Sequence, residues 1–546
     1  MRICGSAEAW MKRLSWRYNL IITAFLTLFS FLVMSHWMWR PSSPDECTYL
    51  GWGMKLFKDG SYESVDGRPI TKVPPLHVYA IAFFFRLFGS TVDVAQCVSL
   101  VFGCITVGLA YIFGVTFWGW KAGLISAIFL LFSSKGEFWR YSNRVLNDVP
   151  LTFFVFCGLY FICRYGRTPS IFNACGFGLS VGLGLLTKEF AVLLLPLALF
   201  ILVLSRARPS SKIFHAVVAI VIIGCLLWPW VVHVTEISGS PLGGVFQRGQ
   251  GRAKELIASA QAWGLRPLSE WIRMITFFGK PSWLWQLTTI LALLWGSLKA
   301  INERDMVTGS MLGLILVWIL TFGIFVALPL DFRRFVPVLP VVSVLTAVMF
   351  CKIQEVLNEK LTRRGLNMRV VNTIYIALVC VYLANSISII SLPKKINLGR
   401  PFTSKHQLFL KKEVDLALLC TPSDSVIISN YSSLLYFYSG GSIQARRLPV
   451  STKNNEELRF EHSTDDDSEG GPILYDFVHR GKKFRMTGHY LENQVKSSGA
   501  SFVVFFRVRD DKLSPREIEN FFMNRPQTYR LICSGENVRV FAVNFS

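Results

Sequence analysis

The residues of this chain whose types can do chemistry are few, and most stand where a long apolar run ends. Pro44-Asp45-Glu46 sets two adjacent carboxylates just after the first such run. Lys72 precedes the rigid pair Pro74-Pro75, and Asp148 follows Asn147 at the head of another run. Lys188 occupies a short turn between two runs, and Arg333-Arg334 lead into one more. A carboxylate so placed can take a proton from a weakly acidic group. Lysine and arginine at headgroup depth can hold phosphate oxygens or stabilise negative charge as it develops. Each residue also has a plainer reading. Asp45, Glu46 and Asp148 suit the first turn of a helix, where the dipole favours acids. Lys72 can snorkel as an interface anchor, Lys188 can pair with Glu189, and one of the two arginines can simply mark the interface. His77 and His233 read as interfacial or core histidines.

The elements that must position these side chains are membrane helices. Of 546 residues 52% are hydrophobic and only 17% charged, with a mean hydropathy of +0.42, whereas soluble domains carry about a quarter charged residues. Spanning the hydrocarbon takes roughly 17 to 25 apolar residues. Runs of about that kind are expected at 19–39, 95–117, 120–134, 149–163, 171–186, 190–205, 213–234, 283–298, 307–328, 335–351 and 371–391. The expected fold class is therefore a polytopic α-helical membrane protein with about 11 transmembrane helices. Lys12, Arg13 and Arg17 precede a run long enough to remain as an anchor. Residues 77–88 are too short to cross and contain Arg86, so they are expected to lie in the interface.

The net charge of +22 does not point to nucleic acid, because the basic residues flank apolar spans instead of forming one aromatic-interleaved patch. With a cytoplasmic N-terminus, the basic turns 164–170, 206–212 and 352–369 fall inside, as the positive-inside rule asks. Segments 40–94, 135–148, 187–189, 235–282, 329–334 and 393–546 then lie outside, and these carry the residues above. The 235–282 loop runs against the rule with Arg248, Arg252, Lys254, Arg266, Arg273 and Lys280. A basic outer surface nevertheless suits a protein that handles phosphate-bearing lipids.

The tail, 393–546, reads as a soluble α/β domain. β-rich runs are expected at 425–429, 434–438, 502–508, 529–532 and 538–543. Ser514, Pro515 and Glu517 cap a helix through Phe522, and 461–472 reads as a solvated acidic loop. The twelve cysteines include no CxxC pair and no zinc-like Cys/His spacing, so no metal is expected. Cys420 and Cys533 are the two that lie in the tail, where an oxidising compartment would allow a disulfide.

The ordered motifs resemble the polytopic glycosyltransferases of the C-type (GT-C) fold, including bacterial aminoarabinose-to-lipid A transferases and protein O-mannosyltransferases. They are Asp45-Glu46 with Tyr49, Lys72-x-Pro-Pro-Leu closing on Leu87-Phe88-Gly89, and Asn147-Asp148-Val149-Pro150-Leu151. Leu186-Thr187-Lys188 and Arg333-Arg334-Phe335-x-Pro-x-Leu-Pro340 complete the set. The resemblance implies a membrane transferase domain over 1–392 with a first catalytic outer loop at 40–94 and a second long outer loop at 235–282. It implies an extracytoplasmic domain over 393–546, in a multi-pass inner-membrane protein. It makes Asp45 the catalytic carboxylate, Glu46 its support and Asp148 the second acid, with Lys72, Lys188, Arg333 and Arg334 on the donor phosphate. The implied donor is a polyprenyl-phosphate-linked sugar, used as a substrate with no cofactor and with inversion. The implied acceptor is an anionic lipid such as lipid A, another glycan or a protein hydroxyl. A glycolipid transporter or a non-catalytic scaffold is the competing reading. Internal repeats and charges deep within spans would favour the transporter, and here the charges gather at one membrane face.

Overall fold

The computed structural model describes residues 3–35, 44–132, 137–240, 283–324 and 332–362, with Thr373 and Ala377. Toward the C-terminus it describes 416–422, 425–429, 436–439, 444–447, 473–479, 482–487, 495–496, 500–506, 521–534 and 538–544. The expected span at 371–391, most of the basic loop 235–282, the basic turn after 362, the acidic stretch 461–472 and the cap at 514–517 lie outside the described residues.

Helices form at the expected apolar runs, and two further helices, α2 and α6, form within the segments expected outside; the order is α1 (Ile3–Ser35), α2 (Pro44–Asp59), α3 (Leu76–Phe88), α4 (Val92–Trp118), α5 (Trp120–Phe132), α6 (Glu137–Ser142), α7 (Asp148–Arg167) and α8 (Ile171–Thr187). A 3₁₀ turn (Glu189–Leu193) then leads into α9 (Leu194–Leu204), followed by α10 (Pro209–Ser238), α11 (Trp283–Asn302) and α12 (Met306–Ile324). A second 3₁₀ turn (Phe332–Val338) leads into α13 (Leu339–Thr362). Among the described residues, five helices are long and apolar enough to cross a membrane: Trp16–Ser35, Val92–Trp118, Asp148–Arg167, Pro209–Ser238 and Arg333–Lys360. The runs expected at 120–134, 171–186, 190–205, 283–298 and 307–328 also form apolar helical stretches, over Trp120–Phe132, Ile171–Thr187, Glu189–Leu204, Leu287–Asn302 and Met306–Thr321. Two of the shorter stretches abut 3₁₀ turns, and irregular backbone at membrane depth is tolerated where protein surrounds it.

Burial sorts these helices into layers. α4, α7 and α13 are largely buried, while α1 and α10 turn Phe25, Leu28, Val217, Ile220 and Trp228 outward, as helices facing lipid do. Small residues set the closest approaches. A Cβ at Gly114 would come within 2.5 Å of the Gly123 backbone, so α4 and α5 touch main chain to main chain. α3 is amphipathic: His77, Val78, Ile81 and Phe85 are buried, and Tyr79, Phe83, Leu87 and Phe88 are exposed. That pattern fits the expected interfacial helix.

The C-terminal part contains β1 (Val426–Ser429), β2 (Gln444–Arg447), β5 (Phe502–Phe506), β6 (Tyr529–Ser534) and β7 (Val538–Val543) in a five-stranded sheet of order β2-β1-β5-β7-β6. A separate hairpin is made by β3 (Ile473–His479) and β4 (Lys482–Thr487). β1 runs parallel to β2 and β5, and β7 runs antiparallel to β5 and β6. Cys420 and Cys533 form a disulfide across 113 residues of sequence. The strand expected at 434–438 is instead helical over 436–438. The physical reason is tertiary: Phe437 packs against Phe85 of α3 with ring centroids 6.0 Å apart, and Tyr436 hydrogen-bonds Asp59 at the end of α2. Burial and the Asp59 carboxylate push the Tyr436 phenol up to about 12, which keeps it a neutral donor. β2, β3 and β4 escaped the sequence reading because Arg446, Arg447, Asp476, Lys482, Lys483 and Arg485 break their apolar alternation.

Candidate active site

α2 begins with Pro44 at its first position and Asp45 and Glu46 in its first turn, an arrangement suited to both the fixed proline φ and the helix dipole. The two carboxylates diverge. Glu46 is fully buried, whereas the Asp45 side chain is 40% exposed and receives a hydrogen bond from Arg333 Nη1 at 2.5 Å. Arg333 comes from the second 3₁₀ turn, 288 residues away in sequence. That turn is held from behind by the buried Trp318 of α12, whose indole Nε1 donates to the Arg334 carbonyl at 2.7 Å.

The second acid is placed as firmly. Asp148 opens α7, where the helix dipole favours a carboxylate, and its side chain is only 2% exposed. Lys188 Nζ donates to it at 2.6 Å. The preceding residue, Asn147, donates from Nδ2 to the Thr187 carbonyl at 3.1 Å, so the N-cap and first residue of α7 are tied to the last residue and C-cap of α8. Ser99 Oγ donates to the Leu146 carbonyl at 2.8 Å and Asn143 Nδ2 to the Met34 carbonyl at 2.9 Å. The first satisfies a carbonyl of the irregular backbone leading to Asp148, and the second ties that segment to a carbonyl at the end of α1, where an unpaired carbonyl would be costly.

The two ion pairs share one neighbourhood, because the charge of Arg333 also acts on Asp148. Near the Asp148–Lys188 pair lies His77, which is 1% exposed. Its ring meets the Tyr49 ring edge-on at 5.0 Å, and it feels the charges of Asp148 and Lys188. Burial pushes this imidazole down to about 3, with Lys188 acting in the same direction and Asp148 against it. His77 is therefore a neutral group set among charges. Burial, then Glu46 and Asp45, push the Cys47 thiol far up, which keeps it protonated and unreactive. Beside His77, Leu76, Ala80, Phe102, Pro150, Phe154, Leu183 and Thr187 line a cavity of about 110 Å³.

Lys72 is half-buried in the loop that leads into α3. That loop is pinned against the far end of α10. The Tyr62 hydroxyl donates to the Val73 carbonyl at 2.8 Å, and His233 Nε2 donates to the Ile70 carbonyl at 3.3 Å. The Tyr62 ring also packs against Trp230 and His233. His233 is thus a structural side chain, and the end of α10 meets the first loop.

Of the sequence-chosen residues, the structure gathers Asp45, Asp148, Lys188 and Arg333. It puts Lys188 on Asp148 and Arg333 on Asp45, whereas both cations were expected on a phosphate. Glu46 lies in the core beside this cluster, and Arg334 contributes its backbone. From sequence His77 reads as an interfacial or core histidine, and the structure buries it beside the Asp148–Lys188 pair. Its only signal in the sequence was its position directly after the Lys72-x-Pro-Pro-Leu motif. Asn147 and Tyr49 stood inside the quoted motifs without a role. Among the described residues no group of three or more His, Cys, Asp or Glu could hold a metal ion.

Comparison with known proteins adds family context. The family model described as dolichyl-phosphate-mannose-protein mannosyltransferase matches residues 72–232, which hold Lys72, His77, Asp148 and Lys188. The undecaprenyl phosphate-alpha-4-amino-4-deoxy-L-arabinose arabinosyl transferase of Pseudomonas paraeruginosa is 26% identical over 234 residues, 41% of this chain and 42% of that protein. A Pseudomonas fluorescens counterpart is 24% identical over 226 residues, 40% of this chain and 39% of that one. The chain thus spans about two fifths of the length of the curated relatives it matches. Among solved structures, apo ArnT from Cupriavidus metallidurans superposes with a TM-score of 0.61 at 12% identity, covering 97% of this chain and 98% of that one. The oligosaccharyltransferase of Archaeoglobus fulgidus gives a TM-score of 0.53 at 13% identity over 89% of this chain and 68% of that one. The chain is a polytopic membrane protein with the C-type glycosyltransferase fold, and it resembles the aminoarabinose transferase and protein mannosyltransferase branch of that fold.

Proposed function

We propose that this protein transfers a glycosyl group from a polyprenyl-phosphate-linked donor to an acceptor at the extracytoplasmic face of the membrane, with inversion at the anomeric carbon. The observation that carries this reading is the convergence of Asp45–Arg333 and Asp148–Lys188 at one end of the helical body. It is supported by the matched relatives, which are undecaprenyl phosphate-alpha-4-amino-4-deoxy-L-arabinose arabinosyl transferases, and by the structure of an ArnT of the same fold bound to undecaprenyl phosphate.

In this reading Asp45 takes the proton of the acceptor hydroxyl as it attacks the anomeric carbon, because an alcohol is a weak nucleophile without a base. The polyprenyl phosphate departs as an anion and needs no general acid. One carboxylate therefore suffices, and a single displacement inverts. Arg333 has two partners in turn. Without donor it pairs with Asp45; with donor bound, the phosphate draws the guanidinium toward itself and leaves the Asp45 carboxylate open to the acceptor hydroxyl. Lys72 and Arg334 add positive charge toward the phosphate. Lys188 orients Asp148, which binds sugar hydroxyls. Glu46, buried behind Asp45, supports the first turn of α2.

We read residues 1–392 as the transferase body and 393–546 as an extracytoplasmic α/β domain. The Cys420–Cys533 disulfide suits an oxidising compartment. The acceptor we favour is an anionic lipid of the lipid A class, since the basic residues of 235–282 suit phosphate-rich headgroups.

The test is reconstitution in bilayers with radiolabelled polyprenyl-phosphate sugars, among them 4-amino-4-deoxyarabinose and mannose donors, with lipid A or a hydroxyl-bearing peptide as acceptor. Label appearing on lipid A supports the reading. Label on the peptide alone moves the function to protein glycosylation. Passage of intact donor across the bilayer without transfer makes the protein a transporter.

A further inference from the structure

One short segment of the C-terminal part packs on the helical body. Residues 436–439 lie between β1 and β2, and Tyr436 and Phe437 are each 5% exposed. They touch two different helices. The Tyr436 hydroxyl donates to the carboxylate of Asp59, the last residue of α2, and the Phe437 ring packs on Phe85 of α3 at 6.0 Å. Phe85 in turn meets Phe57 of α2 at 6.1 Å. A Cβ at Gly53 would come within 2.5 Å of Ile81, so α2 and α3 lie in direct contact. The two helices form one unit, and the segment is seated across it.

What joins these helices is the loop 60–75, which carries Lys72. Its backbone turns at Gly60 and Gly67, at φ of 69° and 79°, a conformation glycine adopts without strain. Glu63 bridges to Pro69, and the Ser64 N–H donates to the Arg68 carbonyl at 2.8 Å, so residues 63–69 close a tight turn. Just past Lys72, the Val73 carbonyl accepts from the Tyr62 hydroxyl at 2.8 Å. The loop is therefore a braced arm, and a shift at its base is carried to Lys72.

Asp59 stands at that base. It accepts from Lys55 Nζ at 2.8 Å, and the same ammonium lies 4.0 Å from Glu63, inside the braced turn. The Asp59 side chain is 43% exposed, and an ion pair that open to water is weakly held. A hydrogen bond from a nearly buried phenol to the same charged carboxylate holds it harder.

Resting on the transferase reading, we propose that Tyr436 is a positioning residue for Lys72. By holding Asp59 at the base of the loop, it sets where the ammonium meets the donor's phosphate, and Phe437 on Phe85 keeps it in place over α2. The C-terminal part thereby tunes donor binding by the helical body.

The test is binding, which does not depend on turnover. Affinities for undecaprenyl phosphate, bare and carrying 4-amino-4-deoxyarabinose, would be measured in nanodiscs for wild type, Tyr436→Phe, Lys72→Gln and the double variant. Phenylalanine keeps the ring and removes only the hydroxyl. The expected result is a loss of about three- to tenfold for both carriers in Tyr436→Phe, the scale of one hydrogen bond. In the Lys72→Gln background the same change should add nothing, because the two residues act through one contact. An equal loss from Tyr436→Phe in both backgrounds would show that Tyr436 only supports the fold, and no loss in wild-type background would overturn the proposal as well. Unchanged binding in Lys72→Gln would take the lysine off the phosphate and overturn it while the transferase reading stands. If wild type bound neither carrier, the transferase reading itself would fall and the proposal with it.

Discussion

Arg333 reaches the Asp45 carboxylate at 2.5 Å across 288 residues of sequence, closing the last described 3₁₀ turn onto the first turn of α2. The proposed base is thus held by the cation that is also proposed to meet the donor's phosphate. Replacing Arg333 by glutamine should weaken donor affinity and lower transfer by about 10- to 100-fold, the range of a lost charge-assisted hydrogen bond. Arg333→Lys should recover only part, because lysine lacks the two-pronged geometry. Steady-state kinetics at varied donor concentration read both effects, and an unchanged KM would count against Arg333 meeting phosphate.

The Asp148–Lys188 pair should behave as a unit. Lys188→Met leaves a carboxylate uncompensated at 2% exposure, and breaking such a pair costs about 3–5 kcal/mol. Combining it with Asp148→Asn should return much of that stability while transfer stays lost. Thermal unfolding in detergent of the two single variants and the double variant measures the coupling.

His77 makes stability depend on pH in a definite direction. Its imidazole falls from 6.5 to about 3 on folding, so between those values the unfolded chain binds a proton that the folded chain does not. The stability present above pH 6.5 is lost as pH falls through that window. At pH 5 the contribution is about 2 kcal/mol. Wild type should therefore lose more stability than His77→Phe between pH 7.5 and pH 5, and equal losses would contradict the buried, neutral ring.

The disulfide ties the strand β6 to the segment ahead of β1. Removing it with Cys420→Ser and Cys533→Ser should cost about 2–5 kcal/mol, as loss of a long-loop crosslink does. Alkylation of the unfolded chain with and without reductant, read by mass spectrometry, should show these two cysteines labelled only after reduction.

Much of this architecture was legible beforehand. Apolar runs located the long described helices of the body, because in a bilayer every backbone group must be satisfied within its own segment, whereas the less apolar α2 and the short α6 left no such run. Asp45, Asp148, Lys188 and Arg333 stood out because charge at the edge of hydrocarbon is expensive to keep. What the sequence did not disclose was pairing. The 40-residue separation of Asp148 from Lys188 and the far longer one of Asp45 from Arg333 leave no local trace. His77 stayed hidden for the same reason: its unmet nitrogens are a property of its neighbours, not of its residue type. The segment around Tyr436 was misread as a strand because its contacts with Asp59 and Phe85 are tertiary.

The account rests most heavily on Asp45 as the base. The direct measurement compares wild type with Asp45→Asn in bilayers for transfer from a polyprenyl-phosphate sugar and, separately, for binding of that donor. Asparagine keeps the shape and loses the proton-accepting charge. The expected result is a drop in turnover of at least ~10²-fold, the usual scale of general-base catalysis, with donor affinity held within a few-fold. Turnover near the wild-type rate in Asp45→Asn would contradict the assignment and move the chemistry to another carboxylate.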